Sequence, residues 1–395
     1  MREKFNKYCQ QISTQTDSAK YFFLGIIVLF FLAVGAILTQ SATSLVADQT
    51  QKFLSVHPVP SFISSNESDK KITEKFYQDW KTHYLTSKGA GGNLRVQRPE
   101  NGGDTVSEGQ GYGMLMAVML NDKPTFDKLW AYTKQHFNGA GLMNWRIGAD
   151  GSIAGTGPAT DADEDMAYAL VVADKKWGGY QNDAQKLLKS IMDNEVEQDT
   201  FILKPGQWGG KEALNISYFA PGYYRVFADY SGDGRWNKVA EKSYELIKKT
   251  ADNKTGLVPD WSNAQGTPAG SLKGDPRNEE FFYNAVRTPW RIATDYAWFG
   301  EKQAKPIVDK MTNFFASIGV DNLKSGYTMG GKPTADYFDA TYASQITAGA
   351  AISDNRSFYQ QVHDKLLSIP QGSYFGDSLR VLTLMFVHGQ FDRVN

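Results

Sequence analysis

From about residue 60 onward the chain alternates two kinds of segment. One kind is amphipathic, with apolar residues at three- and four-residue spacing beside a charged face. Such segments lie near Lys70 to Leu85, Pro124 to His136, Asp183 to Glu197, Trp236 to Thr250, Lys302 to Ile318 and Arg356 to Leu367. The other kind is apolar on most faces and starts near Glu108, Asp161, Tyr218, Asn284, Asp336 and Gly376, each entered through a loop rich in Gly, Pro, Ser or Asp. A helix that is apolar all round is buried all round. Six of each kind in alternation predict an all-α fold, an (α/α)6 barrel. The inner helices would surround an axis, and the loops at one end would form a groove. No repeat of fixed period argues for a solenoid instead.

The N-terminus reads differently. Tyr21 to Leu38 is an uninterrupted apolar run of about 18 residues, the length of a transmembrane helix. Arg2, Lys4, Lys7 and Lys20 precede it, which leaves the bulk of the chain outside the membrane. The expected organisation is a cytoplasmic tail (1–20), a transmembrane signal anchor (21–38), a stalk (39–59) and a globular domain (60–395). Small residues at Ser41-Ala42 and Val46-Ala47 leave a cleaved, secreted form as the alternative.

Composition narrows the chemistry. The formal charge of −1 is spread without a basic stripe, so nucleic acid is excluded as a partner. Cys9 is the only cysteine, and the five histidines lack metal-ligand spacing, so no metal and no redox cofactor are expected. A monomer is expected.

Ser107-Glu108-Gly109-Gln110-Gly111-Tyr112-Gly113-Met114 sets one acid at the head of an apolar run. A glycine in a helix costs about 1 kcal/mol relative to alanine, so three here imply a close approach to the backbone, with a flat, extended substrate as the expected visitor. A second cluster, Asp161, Asp163, Glu164 and Asp165, precedes another apolar run. Capping and the helix dipole account for one or two such acids, and at least one is expected to face the groove. Separated carboxylates with few other titratable groups suit glycoside hydrolysis, in which one acid protonates the leaving oxygen and a carboxylate attacks or activates water. A placed histidine for Ser-His-Asp chemistry and a phosphate loop are both missing from the sequence. Trp145, Trp208, Trp261 and Trp290 fall in or beside loops, where flat rings can stack on sugars.

The run from Ala159 to Trp177 resembles the signature of glycoside hydrolase family 8, A-[ST]-D-[AG]-D-x2-[IM]-A-x-[SA]-[LIVM]-[LIVMG]-x-A-x3-[FW], without a miss. The Glu108 segment, Ser217-Tyr218-Phe219-Ala220-Pro221 and Asn284-Ala285-Val286-Arg287-Thr288-Pro289-Trp290-Arg291 resemble further blocks of that family, and the likeness spans roughly residues 60 to 395. The resemblance implies inverting hydrolysis of β-1,4 linkages, with Glu108 as general acid and Asp161 holding the distorted central sugar. An aspartate that serves as base in many members is Asn284 here, which resembles the branch whose base comes from a nearby segment. Glu280 is the preferred candidate, then Glu279, then Asp275. Substrate contacts are expected from Tyr112, Trp145, Asp163, Trp208, Tyr218, Asn284 and Arg287, the last placed to hold a carboxylate. A partly apolar pocket beside Tyr112 would keep Glu108 protonated.

The expected substrate is a β-glucan, either cellulose or mixed-linkage glucan, with chitosan as the alternative. A catalytically silent polysaccharide-binding or assembly protein is the alternative from another class, kept open by Asn284. Asp229-Tyr230-Ser231-Gly232-Asp233-Gly234 resembles half of a calcium loop, but Ala240 stands where the last ligand belongs, and a simple turn is expected.

Overall fold

The computed structural model describes residues 62–394. The expected cytoplasmic tail, membrane anchor and stalk, with Cys9, lie outside the described residues. No helix among the described residues is long and apolar enough to cross a membrane.

Twelve α-helices lie among the described residues: α1 (Glu67–Tyr84), α2 (Ser107–Met119), α3 (Lys123–Gln135), α4 (Thr160–Trp177), α5 (Gln181–Asn194), α6 (Pro221–Ser231), α7 (Arg235–Thr250), α8 (Thr288–Phe299), α9 (Ala304–Ile318), α10 (Ala340–Ala350), α11 (Arg356–Ser368) and α12 (Tyr374–Val387). The even-numbered helices pack side by side in a ring that closes from α12 back onto α2. The odd-numbered helices lie outside: α1 on α12, α3 on α2, α5 on α4, α7 on α6, α9 on α8 and α11 on α10. This is an (α/α)6 barrel.

The division follows the sequence pattern. In α2, Met114, Leu115, Met116, Ala117 and Val118 are all buried, so no face is left for water. Full burial of a large apolar side chain contributes about 1.5–3 kcal/mol, and this helix is held by that burial rather than by a cap. Its N-cap, Val106, supplies no side-chain hydrogen bond. Outer helices use local signals instead. Asn66 accepts the Asp69 N–H at 2.8 Å to start α1, and Asn355 accepts that of Phe358 at 3.0 Å to start α11. Gly232, at φ 73°, ends α6 in the left-handed conformation a glycine adopts without strain. Beside it Asp233 pairs with Arg235, so that segment forms a turn.

Five two- or three-residue strands depart from the all-α expectation. β1 (Leu85–Thr86) pairs antiparallel with β2 (Arg95–Val96). β3 (Thr105–Val106), β4 (Arg146–Ile147) and β5 (Ile153–Gly155) form a sheet in that order, with Val106 opposite Arg146 and Arg146 opposite Gly155. Segments this short carry no alternation that a sequence can reveal. They matter because β3 runs directly into Glu108, and Trp145 immediately precedes β4.

Candidate active site

The heads of the inner helices bring the acidic motifs together. Glu108 sits in the first turn of α2, with about 20% of its side chain open. Its Oε2 accepts Arg287 Nη1 at 3.0 Å, and its Oε1 accepts the Tyr374 hydroxyl at 3.0 Å. Burial pushes its carboxyl up to about 7, against the pull of Arg287 and with the charge of Asp161 adding to the rise. A carboxylic acid in that range is protonated in a useful fraction at neutral pH.

Arg287, just before α8, is the hub. The same Nη1 donates to Asp161 Oδ2 and reaches the Tyr112 hydroxyl at 3.3 Å. The guanidinium carbon lies 5.2 Å from the Tyr218 ring centre and 5.8 Å from that of Phe375. Asp161, in the first turn of α4, also accepts the Ala162 N–H at 3.0 Å. One buried cation thus serves two carboxylates from two different inner helices.

Asn284 precedes α8 and is half-buried. Its Nδ2 donates to Asp260 Oδ2 at 3.1 Å, and its Oδ1 accepts Asn215 Nδ2 at 2.9 Å. Glu279 is exposed at the end of a 3-10 turn, Pro276–Glu279, and Glu280 follows it half-buried. Neither carboxylate hydrogen-bonds to Glu108, Asp161 or Asn284. Asp275 caps that turn and pairs with Arg277 at 3.0 Å.

Three expectations need correction. Tyr112 and Asp163 do not line the groove, because both side chains are fully buried. Tyr112 lies one helical turn below Glu108 and meets Arg287. Asp163 is two residues past Asp161, which turns it to the other side of α4, where burial, and then the charge of Glu195, raise its carboxyl. The two following acids point inward as well: Asp165 is forked onto Arg291 at 2.6 and 2.8 Å, and Glu164 accepts the Tyr224 hydroxyl at 2.9 Å.

The second correction concerns the glycines of α2, which make room for protein rather than for substrate. A Cβ on Gly109 would stand 2.8 Å from the Tyr374 hydroxyl. One on Gly111 would meet Asp165 Cβ at 3.0 Å and the Ala162 carbonyl at 3.1 Å, and one on Gly113 would meet Leu129 and Val96 at 3.0 Å. The third is Trp290, buried within α8 with its ring 5.8 Å from that of Phe391. Trp145 and Trp208 are 41% and 48% exposed, and Trp208 and Trp261 have ring centres 5.6 Å apart.

Tyr374, Asp260, Asn215 and Phe375 were not picked out from the sequence. Tyr374 had a signal, since Ser373 caps α12 by accepting the Gly376 N–H at 3.2 Å. Among the described residues no group of three or more His, Cys, Asp or Glu is arranged to hold a metal ion.

A helical barrel whose open end carries a raised carboxylic acid, a second carboxylate shared through arginine, and exposed tryptophans defines a glycoside hydrolase. The profile of glycosyl hydrolases family 8 matches residues 59–389, and the chain belongs to that family. It is 39% identical over 386 residues to Endoglucanase A of Acetivibrio thermocellus, covering 93% of this chain and 80% of that one. It is 40% identical over 373 residues to Endoglucanase 2 of Ruminiclostridium josui, covering 90% and 80%. The apo structure of a beta-1,3-1,4-glucanase from Paenibacillus sp. X4 superposes with a TM-score of 0.78 at 29% identity, over 83% of this chain and 95% of that one.

Proposed function

We propose that this glycoside hydrolase is an inverting endo-β-1,4-glucanase acting on cellulose or mixed-linkage β-glucan, with Glu108 as the general acid. The observation that carries the reading is the setting of Glu108, a carboxyl raised to about 7 at the head of α2 and tied to Asp161 through Arg287. An inverting enzyme needs one protonated and one ionised carboxyl group on opposite sides of the scissile bond. Glu108 supplies the first, and Asp161 with Arg287 forms the clamp for the central sugar. Trp145 and Trp208 supply flat surfaces for neighbouring sugars, in line with relatives named endoglucanase and beta-glucanase. The apolar run 21–38 supports a membrane anchor, with residues 60–395 on the extracellular side.

The proton acceptor is the open part of the reading. The backbone carbonyl of Glu280, the candidate favoured by the sequence, accepts the Asp260 N–H at 2.8 Å, but its carboxylate bonds to none of Glu108, Asp161 and Asn284, whereas the Asp260 carboxylate is bonded to Asn284 itself. Asn284 also keeps the silent, polysaccharide-binding alternative in view. Reducing-end release from carboxymethylcellulose, barley β-glucan and chitosan separates these readings. Turnover on a glucan that Glu108→Gln abolishes supports the glucanase, turnover on chitosan alone reassigns the substrate, and retained binding without turnover supports the silent protein.

A further inference from the structure

Asn284 has a carboxylate behind it. Asp260 lies in the loop between α7 and α8 and is 4% exposed. Its Oδ1 accepts the backbone N–H groups of Phe282 at 3.0 Å, Asn284 at 3.1 Å and Ala285 at 2.8 Å. Its Oδ2 accepts Asn284 Nδ2 at 3.1 Å. Among the described residues no cation forms an ion pair with it. Burial outweighs the N–H donors, so this carboxyl is raised to about 6. The other charged or titratable groups that feel it are Tyr342 on α10 and Arg277 in the preceding turn.

The amide of Asn284 therefore stands between the open site and a buried charge. On the site side, Oδ1 accepts Asn215 Nδ2 at 2.9 Å, a bond that must give way when water donates there, and lies 3.4 Å from Nη2 of Arg287, the arginine that holds Glu108 and Asp161. An aspartate at 284 would face Asp260 across a hydrogen-bond distance, and two such carboxyls would share one proton. Asparagine leaves a single charge, oriented by the amide.

We propose that Asp260 is the proton sink of the hydrolysis, reached through the side-chain amide of Asn284. This rests on the hydrolase reading above. As the water oxygen bonds to the anomeric carbon, its O–H bond breaks and the proton passes to Asn284 Oδ1. Asn284 Nδ2 gives a proton to Asp260 Oδ2. The bond between the anomeric carbon and the leaving oxygen breaks, and that oxygen takes the Glu108 proton. Asn284 is left as the imidic acid and Asp260 as the carboxylic acid. Asp260 then returns its proton to Nδ2, Oδ1 loses its own to solvent, and Glu108 is reprotonated. One water is consumed and one glycosidic bond is broken. Asp260 touches no reacting atom and acts as a positioning and proton-holding residue.

The test uses the full chain on barley β-glucan, with kcat, KM, pH profile and thermal midpoint read for the wild type, Glu108→Gln, Glu280→Gln, Asp260→Asn and the swapped pair Asp260→Asn with Asn284→Asp. The swap keeps the hydrogen bond and moves the carboxylate to the site side. Asp260→Asn is expected to lose about 100-fold or more in kcat with little change in KM, the scale of a lost general base. The swapped pair is expected to recover most of that loss with a displaced acid limb. A folded Asp260→Asn that keeps its kcat overturns the proposal, as does loss of turnover in Glu280→Gln with a folded, inactive swapped pair. Should Asp260→Asn unfold, the swapped pair decides alone, with activity supporting the relay and a folded, inactive protein contradicting it. A wild type that turns over no glycan defeats the hydrolase reading and this inference with it; an active wild type indifferent to Asp260 defeats only the inference.

Discussion

The Tyr374 hydroxyl donates to Glu108 Oε1 at 3.0 Å, and its ring occupies the space that a side chain on Gly109 would fill. The hydrogen bond favours the charged form of Glu108 and so opposes the rise caused by burial. Tyr374→Phe is therefore expected to shift the alkaline limb of kcat/KM to higher pH. Gly109→Ala, which pushes the ring away, is expected to produce the same shift with a loss of kcat. Unchanged pH profiles in both variants would remove Tyr374 from control of Glu108.

On the mechanism proposed above, the two raised carboxyls set a narrow window of activity. Glu108 must be protonated, and with its carboxyl at about 7 the active fraction falls roughly tenfold per pH unit above that value. Asp260 must be ionised, and its carboxyl at about 6 sets the limb on the acid side. The profile of kcat/KM is expected to peak between these values. A flat profile from pH 5 to 9 would contradict both assignments.

Trp145 and Trp208 are exposed, as stacking surfaces would be, so their removal should weaken binding more than chemistry. Each change to alanine is expected to cost about 1 kcal/mol, or about five- to tenfold in KM on polymer, with kcat altered less. Equal loss of kcat and kcat/KM would place these rings in transition-state contact instead.

The buried pair Arg291 and Asp165 supports α8 against α4 below the site. Asp165→Ala leaves an uncompensated guanidinium inside the barrel and is expected to destabilise the fold by about 3–5 kcal/mol in denaturant unfolding. A loss below 1 kcal/mol would mean that water reaches Arg291.

At the opposite end of α12 from Tyr374, His388 hydrogen-bonds to His363 at 3.0 Å and to Thr73 at 2.8 Å, tying α12 to α11 and α1. Burial, then the neighbouring His363, lowers it to about 4, while Asp69 acts in the opposite direction. The folded protein therefore binds fewer protons here than the unfolded chain. The stability is present above the unfolded value of about 6.5 and is lost as pH falls toward 4. His388→Gln should lessen that acid loss of thermal midpoint, and an identical pH dependence in both proteins would exclude the pair as its source.

The barrel was legible because burial has a period. Most of α2 and the middle of α4, Met166 to Ala173, are apolar on nearly every face, whereas α5 and α7 are not, and this difference sorts inner from outer helices. Glu108 and Asp161 were legible because each acid heads an apolar helix. Asp163 was misread because an acid on a buried helix looks the same in sequence whether it faces a groove or Glu195. The glycines were misread for a related reason: close approach is written in the sequence, but its visitor, Tyr374, comes from the far end of the chain. Asp260 carried no local signal, since its partners, three backbone N–H groups and the Asn284 amide, lie more than 20 residues further along the chain.

The most direct test of the account is the anomeric form of the first product, followed by NMR as the purified chain hydrolyses barley β-glucan beside Glu108→Gln. The account predicts that the new reducing ends appear first as the α-anomer, and that Glu108→Gln slows their release by about 100- to 10,000-fold. β-Anomer appearing first, or an undiminished rate in Glu108→Gln, would contradict inverting hydrolysis with Glu108 as the acid.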